Sequence, residues 1–283
     1  MAKKTIRKTS SKKKTAQKNY WKFIVPLIVL VILISSIFSF RFEIKHTYFK
    51  VKSTYVRYKN KVATKTEQVK IDKILKDKKD NLFGIDISLY QEIINWDKLD
   101  SLEAKAKIYF VIIRATAGKN KTDKYFSYNW IEAKKQGFIR GAYHYYRPNE
   151  NSTKQANNFI ENVKLEKGDI IPVLDIEKEA DIQSMASLRK GITNWLNIVE
   201  AHYGVKPIIY SGDSFYNDHL ANNGFDDYPI WIANYSNSTK QPNTNNWLIW
   251  QFTDKGKAKG ISEFVDLNVF DGNEKLFKFL LME

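Results

Sequence analysis

Beyond residue 81, short β-rich runs alternate with segments of helical length, and this alternation narrows the fold more than any other feature of the chain. The runs are Phe83–Ser88, Tyr109–Arg114, Ile139–Tyr146, Ile170–Ile176, Lys206–Ser211, Pro229–Ala233, Leu248–Phe252 and Glu263–Leu267. Helical patterns lie between the first five. They are clearest at Ser152–Leu165 and Met185–His202, where apolar residues recur three and four positions apart. Asn151-Ser152 reads as a start signal, and Gly137 and Gly204 read as stops. Strands alternating with helices predict a parallel sheet, and eight of them predict a TIM-like α/β barrel. The last three strands are joined only by loops rich in Asn, Ser and Lys, so the helical ring is expected to be incomplete toward the C-terminus.

Three of these runs close on acids: Phe83-Gly84-Ile85-Asp86, Val173-Leu174-Asp175-Ile176-Glu177 and Phe264-Val265-Asp266. A carboxylate loses hydration when an apolar strand carries it inward, so an acid is better tolerated at a strand mouth. Asp175 and Glu177 are two apart and share one side of an extended strand. In a barrel of this class the C-terminal strand ends gather at one mouth, which would bring Asp86, Asp175, Glu177 and Asp266 together. Tyr145, Tyr146, Tyr210, Trp231 and Trp250 fall at the same ends. Aromatic faces beside paired carboxyls suit a sugar substrate and point to glycoside cleavage.

The formal charge of +15 belongs almost entirely to the N-terminal quarter. The first 80 residues hold 22 of the 46 basic side chains and five of the 31 acids, leaving 24 against 26 beyond. Nucleic-acid binding by the main domain therefore has no support, and no recognition motif appears. The chain has no cysteine and only four histidines, without paired spacing. Disulfides and a cysteine nucleophile are excluded, and neither a metal nor a cofactor is expected.

Residues 23–40 are apolar apart from serines and carry no charge, the lower limit of length for a transmembrane helix. Tyr20 and Trp21 sit where an interfacial anchor belongs, after a basic arm over 1–22. A cleaved signal peptide is the rival reading, but Ser35-Ser36-Ile37-Phe38-Ser39-Phe40 offers no convincing small-x-small cleavage site. Six Lys/Arg within 8–22 against four within 41–55 favour a cytoplasmic N-terminus. The main domain, 81–283, would then lie on the extracytoplasmic side of the cell membrane. Residues 41–80, rich in Lys, Thr and Tyr, read as a stalk, either partly helical or a disordered spacer.

At these residues the chain resembles the lysozymes of glycoside hydrolase family 25, the N-acetylmuramidases, over about 82–272. The likeness runs in order through Gly84-Ile85-Asp86-Ile87-Ser88, Gln91, Asn95-Trp96, Phe110 to Thr116, and Gly141-Ala142-Tyr143-His144-Tyr145-Tyr146-Arg147-Pro148. It continues through Gln155-Ala156, Phe159, Asp175-Ile176-Glu177, Pro207-Ile208-Ile209-Tyr210, Trp231-Ile232-Ala233, Trp250-Gln251-Phe252-Thr253 and Val265-Asp266-Leu267-Asn268. The resemblance implies a modified barrel of five β/α units and three further strands. It implies hydrolysis of the β-1,4 bond from N-acetylmuramic acid to N-acetylglucosamine in peptidoglycan glycan strands. By position, Glu177 matches the general acid, and Asp86, Asp175 and Asp266 match the other active-site carboxylates. Tyr143, Tyr145, Tyr210, Trp231 and Trp250 are the sugar-binding candidates. The family often has an acid where Ala117 stands, which bears on subsites more than on hydrolysis.

On this reading Glu177 holds a proton for the glycosidic oxygen, with the charge of Asp175 raising its affinity for that proton. Asp175 either attacks the anomeric carbon or steadies the substrate's own acetamido group, and Asp86 and Asp266 orient it. A wall-binding module of the same fold is the alternative, although all four carboxylates are intact. A barrel enzyme acting on chitin-like polymers is a further one. Oligomeric state is not legible in the sequence.

Overall fold

The computed structural model describes residues 25–30, 65–103, 105–236, 241–244 and 246–283. Eight strands form a closed barrel: β1 (Leu82–Ile87), β2 (Ala106–Ala117), β3 (Ile139–Tyr145), β4 (Val173–Asp175), β5 (Ile208–Gly212), β6 (Ile230–Ala233), β7 (Trp247–Gly256) and β8 (Val265–Phe270). All eight predicted runs are present, and β4 is the most trimmed. Pro172 cannot donate to a ladder, and around it the pairing is irregular: the Ile170 N–H donates to the Arg140 carbonyl of β3 at 2.8 Å, but the Ile171 N–H donates to the Leu280 carbonyl at 2.9 Å.

From β1 to β7 every neighbouring pair is parallel, and β1 also pairs with β2. The all-parallel expectation fails at β8, which runs antiparallel to both β7 and β1 and so closes the barrel. The link between β7 and β8 is too short for a crossover that would return the chain to the starting end, so the strand reverses.

Helices α1 (65–77), α2 (Phe126–Lys135), α3 (Ser152–Asn162) and α4 (Met185–Tyr203) pack on the outside. The predicted boundary signals operate physically. The Asn151 side chain accepts the Lys154 N–H at 2.9 Å, and Gly204 ends α4 at φ 76°, a left-handed turn that glycine adopts without strain. After β5 comes only a short helical turn, Asp213–Phe215, running into a π-turn at Tyr216–Leu220.

Helix α1 lies within the expected stalk and fits its partly helical reading over 65–77. Ile71, Ile74 and Leu75 are buried in the same apolar layer as Trp247, Trp250 and Phe252. The Lys78 ammonium sits 5.7 Å over the Trp247 ring and 2.9 Å from Asp271, while Lys70 reaches the Tyr235 carbonyl at 3.5 Å. A helix that precedes the first strand thus lies beside the part of the barrel that lacks its own.

Side-chain alternation divides the core in two. Phe110, Ile112, Val173, Ile208, Ile249 and Phe270 fill the barrel, whereas Val111, Ile113, Leu174, Ile209 and Phe252 face the helices. Phe110 occupies the space a side chain at Gly84 would need, since a Cβ there would lie 2.3 Å from its ring. Phe277, 5.1 Å from Phe110 and 4.9 Å from Phe270 between ring centres, closes the floor.

The span expected at 23–40 falls largely outside the described residues. Its part at 25–30 is helical with Val25 and Leu27 to Leu30 exposed, and among the described residues no helix is long and apolar enough to cross a membrane. The basic arm, 1–22, lies wholly outside them.

Candidate active site

The mouth opposite that floor is a cleft of about 580 Å³ lined by Asp86, Asp175, Glu177 and Asp266, together with Tyr143, Tyr145, Tyr210 and Trp231. Eight of the nine site residues expected from the sequence therefore meet in one place. Strand register explains the convergence. Asp86 pairs with Asp266 across β1 and β8, Tyr145 pairs with Asp175, and Asp175 pairs with Tyr210.

Trp250 is the exception. It points outward from β7 and is 2 % exposed, packing on Trp247 and Phe252 and donating its indole N–H to the Asn234 carbonyl at 3.1 Å. Tyr146 also faces the outer layer, as does His144, which stacks on Trp195 and whose pKa burial pushes down to about 4. Trp250 and Tyr146 each neighbour an inward-facing residue, and a strand turns adjacent side chains to opposite faces.

The inward neighbour of Trp250 is Gln251, the most consequential residue the sequence reading passed over. Its amide donates to Asp86 Oδ2 at 2.6 Å, and Asn268 donates to the same oxygen at 2.7 Å. Each amide is held in that orientation from behind. The Tyr210 hydroxyl donates to Gln251 Oε1 at 2.7 Å, joined by the Tyr235 hydroxyl, and the Trp231 indole donates to Asn268 Oδ1 at 2.9 Å. With both amide oxygens occupied by donors, both NH₂ groups face Asp86. A polar residue at every second position of an otherwise apolar strand was the available signal.

The wall beside β2 is set by Asp123. It accepts Arg114 Nε at 2.8 Å, the Leu89 N–H at 2.9 Å and the Tyr125 N–H at 3.0 Å, and Arg114 lies 5.1 Å from the Tyr90 ring. Ser88 and Gln91 form a capping box that holds the turn bearing Tyr90.

Burial and crowding divide the carboxyls. Asp86 is raised to about 6: burial pushes it up, the two amide donors pull it back, and the Glu177 charge adds to the rise. Asp266 rises further, to about 9, through burial and the nearby charges of Asp86, Asp254 and Glu177. Asp175 is held well above the ordinary range by burial, by the Glu177 charge and by a hydrogen bond with the Glu177 side chain. Its Oδ1 is buried with no partner in the protein. Glu177 stands exposed at the cleft rim. The three aspartates beneath it all bind their protons more tightly than ordinary carboxyls.

The model of the glycosyl hydrolases family 25 matches residues 85–261, which contain three of the four acids and Gln251. The chain belongs to glycosyl hydrolase family 25. It is 34% identical over 203 residues to lysozyme M1 of Streptomyces globisporus, covering 67% of this chain and 68% of that one. It is also 39% identical over 201 residues to the uncharacterized protein YegX of Escherichia coli K12, covering 70% and 73%. Among solved structures, a family 25 glycosyl hydrolase from Bacillus anthracis superposes with TM-score 0.64 at 32% identity, covering 72% of this chain and 95% of that one. The bacterial lysozyme from Streptomyces coelicolor gives 0.63 at 31%, covering 71% and 97%. This family 25 member is a glycosidase of the lysozyme, or muramidase, class.

Proposed function

We propose that this family 25 lysozyme cleaves the β-1,4 bond from N-acetylmuramic acid to N-acetylglucosamine in peptidoglycan, with Glu177 as general acid and Asp175 as its partner. The observation carrying the assignment is that Asp175 and Glu177, two apart on one strand end, line the same cleft, with one buried and the other at the rim. A single shared proton serves both roles. An acetamido N–H docking on the unpartnered Asp175 Oδ1 favours the anionic form of Asp175, and the proton then resides on Glu177 beside the glycosidic oxygen. The same contact aligns the acetamido oxygen with the anomeric carbon, which favours the substrate-assisted route over direct attack by Asp175. Asp86, fixed by Gln251 and Asn268, supplies a stationary negative charge for the oxocarbenium-like transition state.

The test is mass analysis of fragments released from purified sacculi. Reducing-end muramic acid from the wild type, and its loss by at least a hundredfold in Glu177→Gln with folding retained, are expected. Near wild-type turnover by Glu177→Gln rejects the assignment.

We further propose that residues 23–40 anchor the enzyme in the cell membrane with the barrel on the extracytoplasmic side. An uncharged run of 18 residues after a basic arm supports this. Carbonate-resistant membrane fractionation of the full chain, with the barrel digested by protease added outside spheroplasts, is the expected result. A soluble, shortened product rejects it.

A further inference from the structure

One end of the cleft has a charge unlike the rest. Ala117, at the tip of β2, pairs with Tyr145 of β3, which in turn pairs with Asp175, so Ala117 lies two strands from the dyad, roughly 10 Å at ordinary interstrand spacing. Across the short Lys121–Thr122 strand, Ala117 is the direct partner of Lys121. Lys121, Arg147 and Lys178 all line this part of the cleft. The Lys178 ammonium bonds the Tyr145 side chain, and Lys121 is exposed without a carboxylate partner among the described residues. Arg147 pairs with Glu150 at 3.3 Å, but Glu150 also accepts the Lys119 N–H. Arg114 is the remaining cation of the wall, and Asp123 occupies it. With alanine at 117, no acid on the adjoining strand answers Lys121 and Lys178.

We infer that Lys121, Lys178 and Arg147 form an anion-binding arm of the cleft, taking an acidic substituent carried by the muramic acid residue. The inference rests on the muramidase reading and narrows it: the preferred substrate is a substituted glycan strand, not a bare one. Two sources share that chemistry, the carboxylates of the stem peptide and phosphodiester polymers attached to the glycan. Two ammonium groups and a guanidinium lining the cleft, with Lys178 following Glu177 in the chain, suit a branch leaving the strand near the site of cleavage.

The experiment measures binding of full-length Glu177→Gln protein to three wall preparations, so that affinity is read without hydrolysis. They are intact walls, walls stripped of phosphodiester polymers by hydrofluoric acid, and walls stripped of peptides by amidase. Tighter binding to intact walls than to one stripped form, by about three- to tenfold at low salt, is expected, and the form that loses affinity names the source. Adding Lys121→Gln with Lys178→Gln, or separately Ala117→Glu, should reduce that preference toward one. Equal affinity for all three preparations, a preference that survives both changes, or no measurable binding to intact walls overturns the arm. Failure of the wild type to release reducing ends overturns the muramidase reading instead, and the affinities still decide the arm.

Discussion

Asp86 and Asp266 are direct partners across the antiparallel pair of β1 and β8, yet only Asp86 accepts two amide donors. That difference separates them, with Asp86 at about 6 and Asp266 at about 9, so at neutral pH the first is an anion and the second keeps its proton. Two carboxylates this close cannot both ionise cheaply, and the amides decide which one does.

Removing a donor should move that ionisation. In Gln251→Leu or Asn268→Leu, Asp86 loses one bond to its charged form, and the acid limb of kcat/KM, expected near pH 6, should shift up by about one pH unit. A pH–rate profile on purified walls measures it. An unmoved limb in both variants would remove Asp86 from the active ionisation.

Asp266 makes stability depend on pH in a predictable direction. Its pKa is raised from 3.8 to about 9, so the folded state binds the proton more tightly than the unfolded chain. The contribution is complete below pH 3.8 and is lost as pH rises through about 9. Asp266→Asn should flatten this decline, so that its Tm gains on the wild type steadily between pH 5 and 9. Parallel Tm curves over that range would contradict the assignment.

Asp175→Asn should lower kcat by about a hundredfold or more and leave binding of a muramyl oligosaccharide within about threefold. An amide keeps the volume and a hydrogen bond but cannot share the proton with Glu177. Steady-state kinetics beside calorimetric binding separates the two effects. A loss confined to KM would make Asp175 a binding residue only.

The two tryptophans should separate by function. Trp231→Phe frees Asn268 and should reduce kcat/KM in addition to a stability loss like that at Trp250, since both rings are equally buried. Trp250→Phe should cost about 1–2 kcal/mol of stability and leave kcat/KM near wild type. Urea titration with activity assays distinguishes them, and an active-site effect from Trp250 would reverse the inward and outward assignment on β7.

The eight strands and the four acids were legible because apolar runs ending in a carboxylate are rare and costly to place elsewhere. The phase within each strand is harder to read, because Trp250 and Gln251 are adjacent in one apolar run and the aromatic ring is the stronger sugar-binding signal. The polar alternation of Gln251 and Thr253 is the weaker sign that Gln251 faces inward. The clamp on Asp86 was hidden for a related reason. Gln251 and Asn268 lie 165 and 182 positions from it, and no local pattern records a contact made by closure. The docking of helix α1 is not legible because Lys70, Asp72, Lys73 and Lys76 surround Ile71, Ile74 and Leu75, and the charges mask the apolar stripe.

Because α1, described from residue 65, packs on the barrel, a membrane-held enzyme would have at most the 24 residues of positions 41–64 as its leash, in place of forty. Even drawn taut, that many residues bridge no more than about 85 Å. Held by 23–40, the hydrolase would trim only the innermost layers of the wall, and older material would pass beyond its grasp as new strands push it outward.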